Sequence, residues 1–173
     1  MLPDQQHQQQ QIRILCYGDS LTAGTSDSFY ELYPYAPHLE QTLNAKQQND
    51  SDNPQISYVV RHRGLPGWTA DAMLNAADDA QCGLRSAIGA VQNPSLSCVI
   101  ILAGTNDLGM MGSYPEDERA SKIVAQIKAL HEMAWDEGVP KTIAVAVPPS
   151  GYQAQVSEAA ALAEQVNVEL KRF

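Results

Sequence analysis

Ser20 is the residue around which a reaction could be built. It sits in Ile14-Leu-Cys-Tyr-Gly-Asp-Ser-Leu-Thr-Ala-Gly24, where a short apolar run breaks abruptly into Gly-Asp-Ser. That pattern describes a buried strand passing through a tight turn into a helix. Open α/β sheets keep their ligand crevice at such strand ends. A hydroxyl held there can act as a nucleophile, and the N–H of the same residue can face the oxygen that gains charge. Taken alone, Ser20 would serve equally well as an ordinary helix N-cap.

Three other segments follow apolar runs directly and so leave the same edge of a sheet. They are Arg61-His-Arg-Gly-Leu-Pro-Gly-Trp-Thr69, Ala103-Gly-Thr-Asn-Asp-Leu-Gly109 and Pro148-Pro-Ser-Gly151. Acyl transfer needs donors aimed at the developing oxyanion, and one missing donor typically costs ~3 kcal/mol of barrier. The N–H of Gly67 can approach a substrate without interference from a Cβ, and the side-chain amide of Asn106 can donate from the neighbouring loop. Gly67 also suits a plain Pro-Gly turn, a role compatible with the first. Asn106 and Asp107 could equally be loop or N-cap residues. Trp68, Met110 and Met111 flank the expected crevice, where apolar filler is as good a reading as a substrate pocket.

The elements that must position these groups are legible as alternating periods. Strand-like runs occupy Ile12–Tyr17, Ile56–Val60, Ser97–Ala103 and Thr142–Val147, and three of them are nearly continuously apolar, as in a sheet covered on both faces. Helical character falls on 29–46, with any helix confined to the part from about Pro37 onward, and on Thr69–Ala80 and Gly83–Val91. The strongest helical pattern runs from Pro115 to Glu137, with Ala120, Ile123, Val124, Ile127, Leu130 and Ala134 on one stripe. Ser113-Tyr-Pro-Glu116 offers it a capping box, and Gly138 with Pro140 stops it. A last helix is expected over Ala154–Arg172. Strands alternating with such helices predict one doubly wound, flavodoxin-like α/β domain over 12–173, a parallel sheet in three α/β/α layers. The glutamine-rich segment 1–11 reads as a disordered tail.

With 173 residues, 44% hydrophobic and 18% charged, the chain can bury one real core. A net charge of −9 disfavours nucleic acid and anionic membrane surfaces as partners. No stretch is long enough to span a bilayer, and the polar N-terminus does not resemble a secretory signal. Cys16, Cys82 and Cys98 form no C-x-x-C pair, which fits a reduced, cytoplasmic setting. The paired carboxylates at 78–79 and 116–118 read as solvated helix ends.

Gly-Asp-Ser-Leu at 18–21, the Gly67 turn and Gly104-Thr-Asn-Asp107 resemble the first three blocks of the SGNH hydrolases, also called GDSL esterases or lipases. The resemblance covers 12 to about 150, in order and in matching strand–loop contexts. It implies Ser20 as nucleophile and oxyanion donor, Gly67 as a second N–H donor and Asn106 as a side-chain donor. Asp19 would hold the turn and would not be the acid of the triad. The implied partner is a small or short-chain ester, and no metal or organic cofactor is implied.

The family's fourth block is an Asp-x-x-His pair near the C-terminus. None of His7, His38, His62 and His131 stands in such a pair. His62, between Arg61 and Arg63, is a poor substitute, and His38 and His131 read as surface or satisfied structural residues. The resemblance also implies a fifth strand after the last helix, without which Thr142–Val147 is a bare apolar edge. The expectation is therefore a chain incomplete at its C-terminal end. A catalytically silent relative, binding a small ligand or glycan in the same crevice, would instead have no need of a base. An unrelated flavodoxin-like domain could use 18–25 as a phosphate loop, but that leaves Gly67 and Asn106 without a role.

Overall fold

The computed structural model describes residues 10–26, 31–48, 56–91 and 95–173, with the side chains of 111–113 outside that description. Its sheet has four parallel strands: β1 (Gln10–Gly18), β2 (Ile56–Gly64), β3 (Cys98–Leu102) and β4 (Thr142–Ala144), in the order β2-β1-β3-β4. The central strand β1 sorts its side chains by parity, as a two-faced strand must. Leu15 and Tyr17 enter the larger core with Val99 and Ile101, whereas Ile14 and Cys16 face the smaller one. The larger core is closed by α3 (Ala70–Asn75), α4 (Leu84–Gly89), α5 (Arg119–Asp136) and α7 (Ser157–Leu170). On the opposite face, α2 (Ala36–Gln48) covers the sheet with Ala36, Leu39 and Leu43. The three-layer α/β/α expectation is met.

Several boundaries differ from those read in the sequence, each for a local reason. β1 begins at Gln10, so the last two residues of the expected tail pair with Ile56 and Ser57; residues 1–9 lie outside the described part. β2 runs on to Gly64 because its whole length pairs with β1, while its free edge tolerates the exposed Arg61 and His62. β4 stops at Ala144, three residues early. The Asn167 side chain takes over at Val147, accepting from its N–H at 2.7 Å and donating to its carbonyl at 2.9 Å.

The strongest helix, α5, starts at Arg119 after a 3-10 turn at Glu116–Glu118, so Ser113 is not its cap. The expected last helix is two: α6 (Gly151–Gln155), capped by the Ser150 hydroxyl, and α7. They break at Val156, which adopts an extended conformation (φ −124°, ψ 101°) and packs on the larger core.

His131 departs most from expectation. It is buried on α5, 1% exposed, and neither ring nitrogen has a hydrogen-bond partner. The rings of Trp135 and Phe173 lie 6.3 and 5.4 Å from its own, and Lys128 sits 5.2 Å above Phe173. Burial alone pushes the imidazole pKa down to about 4. An unfolded chain, with an ordinary histidine near 6.5, binds the proton more readily between those values, so this group removes stability as pH falls from about 6.5 to about 4. His131→Leu is expected to flatten that part of the stability profile. Urea midpoints of both proteins at pH 7.5 and 4.5 check it: an equal pH dependence in the variant contradicts it.

Candidate active site

Gly18, at the end of β1, is in register with Gly64 of β2 and with Leu102 of β3. Three strands therefore end on one line, and the loops that leave them rise side by side. The line is tight. A Cβ on Gly18 would stand 2.2 Å from the Leu102 carbonyl oxygen, and one on Gly64 2.1 Å from the Ala23 nitrogen, so both strand ends require glycine.

Beyond Gly18 the Asp19 N–H donates to the Leu102 carbonyl at 3.2 Å. The buried Asp19 carboxylate caps the single helical turn α1 (Ser20–Ala23), accepting from the Leu21 N–H at 2.9 Å. Burial pushes its pKa up, while that N–H and Thr105 pull it down. The rival reading of Ser20 as N-cap does not hold, because Asp19 occupies that position. Ser20 is the first residue of the turn and half-buried. Its hydroxyl makes no hydrogen bond to another described residue.

After β2 the chain makes a turn over Leu65-Pro66-Gly67-Trp68, closed by the Trp68 N–H donating to the Leu65 carbonyl at 3.1 Å. Gly67 takes φ +82° with open space where a Cβ would be, so conformation and not crowding demands glycine there. Proline then glycine at the two central positions, with positive φ at the second, is the chemistry of a type II turn. Thr69 follows as N-cap of α3, its hydroxyl accepting from the Ala72 N–H at 3.2 Å.

After β3 the loop turns through Gly104 (φ +106°) to Asn106 and Asp107. These two residues reach across to the Gly67 loop. The Asn106 amide Nδ2 donates to the Trp68 carbonyl at 2.8 Å. The Ala70 N–H donates to the Asp107 carboxylate, 3.1 Å from Oδ2 and 3.3 Å from Oδ1. Burial raises the Asp107 pKa to about 6; the Ala70 N–H and its own N–H oppose this, and the charges of Asp19 and Asp71 add to it.

Gly67, Trp68, Asn106 and Met110 line an open cleft of about 430 Å³, with Thr69, Ala72 and Gly109 completing its wall. That is within the range of small-molecule sites. The structure thus joins Gly67 to Asn106 in one wall. Ser20 stands at the neighbouring strand end and is not part of that wall. His38 and His62 are exposed and His131 lies in the core, and no described histidine hydrogen-bonds to Ser20. No helix among the described residues is long and apolar enough to cross a membrane. Sequence reasoning gave Asp107 no particular work; a second polar residue directly after Asn106 at an apolar strand exit was the available signal.

A parallel α/β/α sheet that gathers a Gly-Asp-Ser turn, a glycine turn and an asparagine loop at one edge is the architecture of the SGNH class. Residues 16–173 match the sequence profile of the GDSL-like lipase/acylhydrolase family, and the chain belongs to it. Its fold is similar to that of a carbohydrate acetylesterase family member from Sinorhizobium meliloti (20% identity, 94% of this chain and 79% of that one, TM-score 0.60). It is also similar to an aryl esterase from M. smegmatis (24%, 92% and 81%, 0.55). A third similar fold is a GDSL-like lipase from Bacteroides thetaiotaomicron (18%, 92% and 62%, 0.55). The chain thus spans less than two thirds of that lipase, and 61% of a similar structure from Bacteroides fragilis. At these identities the likeness speaks for the fold alone. No curated protein matches the chain in sequence.

Proposed function

We propose that this protein hydrolyses a carboxylic ester with a small acyl group through an acyl-Ser20 intermediate. The observation that carries the reading is the shared origin of three loops at one line of strand ends, with Ser20 at the middle strand and Gly67 and Asn106 lining one wall beside it, where Asn106 bonds to the Trp68 carbonyl. The Ser20 oxygen attacks the ester carbonyl carbon as its proton passes to a general base, the part that the histidine of the family's Asp-x-x-His block would play, since no described histidine bonds to Ser20. The carbonyl oxygen becomes an oxyanion that the N–H groups of Ser20 and Gly67 and the amide of Asn106 stabilise. The C–O bond to the alcohol then breaks and the alcohol leaves with a proton. Water attacks the acyl-serine, and the acid departs as Ser20 recovers its hydrogen.

Each donor has a free valence for this work. The Ser20 N–H is among the first-turn donors that a helix leaves unpaired. The Asn106 amide has two hydrogens, and one suffices for the Trp68 carbonyl.

One observation favours a second reading: no described histidine bonds to Ser20, so the same cleft could hold a small ligand without chemistry. A serine-directed fluorophosphonate separates the two. Esterase chemistry predicts stoichiometric labelling at Ser20, located by peptide mass spectrometry, with labelling absent in Ser20→Ala. An unlabelled wild-type protein leaves the binding reading.

A further inference from the structure

We propose that Asp107 is a positioning residue: its carboxylate clasps the N-terminus of α3 and thereby sets the separation between the Gly67 N–H and the Asn106 amide. This deepens, and rests on, the reading of Gly67 and Asn106 as oxyanion donors. The geometry is specific. Gly67 lies at the tip of an exposed turn with nothing packed where its side chain would be, so no contact at the tip itself fixes its place. What holds the segment from Leu65 to Ala70 is its two ends and two straps. At one end the Leu65 N–H donates to the Gly18 carbonyl at 2.7 Å, tying the segment to the strand that carries Ser20.

The straps come from consecutive residues of the β3 loop, Asn106 to the Trp68 carbonyl and Asp107 to the Ala70 N–H. They flank Thr69 and have opposite polarity, one donating to the segment and one accepting from it. Together they fix its height and its rotation against the β3 loop. The Asp107 strap is the buried one, with the residue 7% exposed and Ala70 fully buried. A carboxylate accepting from an N–H in such a place makes a charge-assisted bond, stronger than a neutral pair. Burial without that partner would be costly, so the two groups are held together by mutual need.

Asp107 faces the Ala70 N–H and is not among the residues lining the Gly67–Asn106 cleft, so its effect on a reaction is indirect. A shift of about 1 Å in one donor lowers a rate on the order of 10²-fold. The expected signature is therefore a fall in kcat with KM little changed.

The test compares the full chain with Asp107→Ala, Asp107→Asn and Ala70→Pro. Asparagine keeps an acceptor oxygen for Ala70. Proline deletes the donor from the other side, at a first helical position where proline is tolerated and after a Thr69 that is already extended. With a short-chain p-nitrophenyl ester, Asp107→Ala and Ala70→Pro should each lower kcat roughly 10²-fold with KM unchanged within about 3-fold, and Asp107→Asn should restore most of the rate. Full kcat in either disrupting variant, or asparagine as damaging as alanine, overturns the proposal.

Amide hydrogen exchange gives a readout independent of turnover. In Asp107→Ala, exchange should accelerate at 67–70 while β1 and β3 stay protected; unchanged exchange at 67–70, or acceleration throughout the sheet, overturns the clasp. A wild-type protein that neither turns over nor is labelled defeats the esterase reading, and the exchange arm then decides the clasp by itself.

Discussion

Ser20→Ala is expected to abolish ester turnover while leaving the fold as stable as before. The loss should be in kcat, on the order of 10⁶-fold, the loss found when the nucleophile of a serine hydrolase is removed. Its size follows from the chemistry: without Oγ no acyl-enzyme forms, and only positioning and oxyanion stabilisation remain for direct attack by water. The expectation for stability comes from the turn itself. The hydroxyl of Ser20 bonds to no described residue, so removing it leaves nothing buried unpaired. The cap of α1 belongs to Asp19, and alanine is the better helix former at the position that follows. Thermal melts of the two proteins should coincide or favour the variant slightly. Substantial residual turnover would remove Ser20 from the mechanism, and a collapsed melt would show that it holds the turn after all.

That separation of roles within three residues illustrates what the sequence could and could not convey. The strand–turn–helix around Ser20 was legible because an apolar run, two glycines and a cap residue fall within a dozen positions. The Gly67 turn was legible for the same reason, since Pro-Gly between apolar residues admits few turn types. The sheet and its layering followed from apolar runs alternating with helical stripes. What the chain did not disclose were decisions made by residues far away. β4 ends early because Asn167, on α7, satisfies Val147 as a neighbouring strand would. The last helix breaks at Val156, whose extended backbone sets a partly buried side chain against the core. The capping box at Ser113 was plausible locally, but a 3-10 turn separates it from the helix it was meant to start.

His131 is a different kind of failure. It stands four residues after Ile127 and three before Ala134, on the buried stripe itself, so the helical period placed it inward. Its polarity argued for the surface or for a satisfied structural place; it is structural but without a hydrogen-bond partner, and the helical period was the better guide. Asp107 was opaque for a further reason. Its partner is a backbone N–H thirty-seven residues away, and a backbone group leaves no trace in residue type.

Asn106→Ala is the second large expectation, a fall in kcat of about 10² to 10³-fold with KM nearly constant, the usual loss on deleting one oxyanion donor. The split follows from when the bond forms. A ground-state carbonyl oxygen has little charge and lies off the donor's axis, whereas the tetrahedral oxyanion meets it fully, so the contact belongs to the transition state. This residue has a second task, its bond to the Trp68 carbonyl at 2.8 Å, and alanine abolishes both. Asn106→Asp tells them apart. An ionised carboxylate can donate to neither partner and sets a negative charge beside the developing oxyanion, so its kcat should fall below that of alanine. Stability should suffer little in the alanine variant, because Asn106 is only half-buried and the Asp107–Ala70 bond still fastens the segment. A raised KM with kcat preserved would make Asn106 a binding residue for the ground state, and the oxyanion hole would then have to be sought among the remaining N–H groups of the three loops.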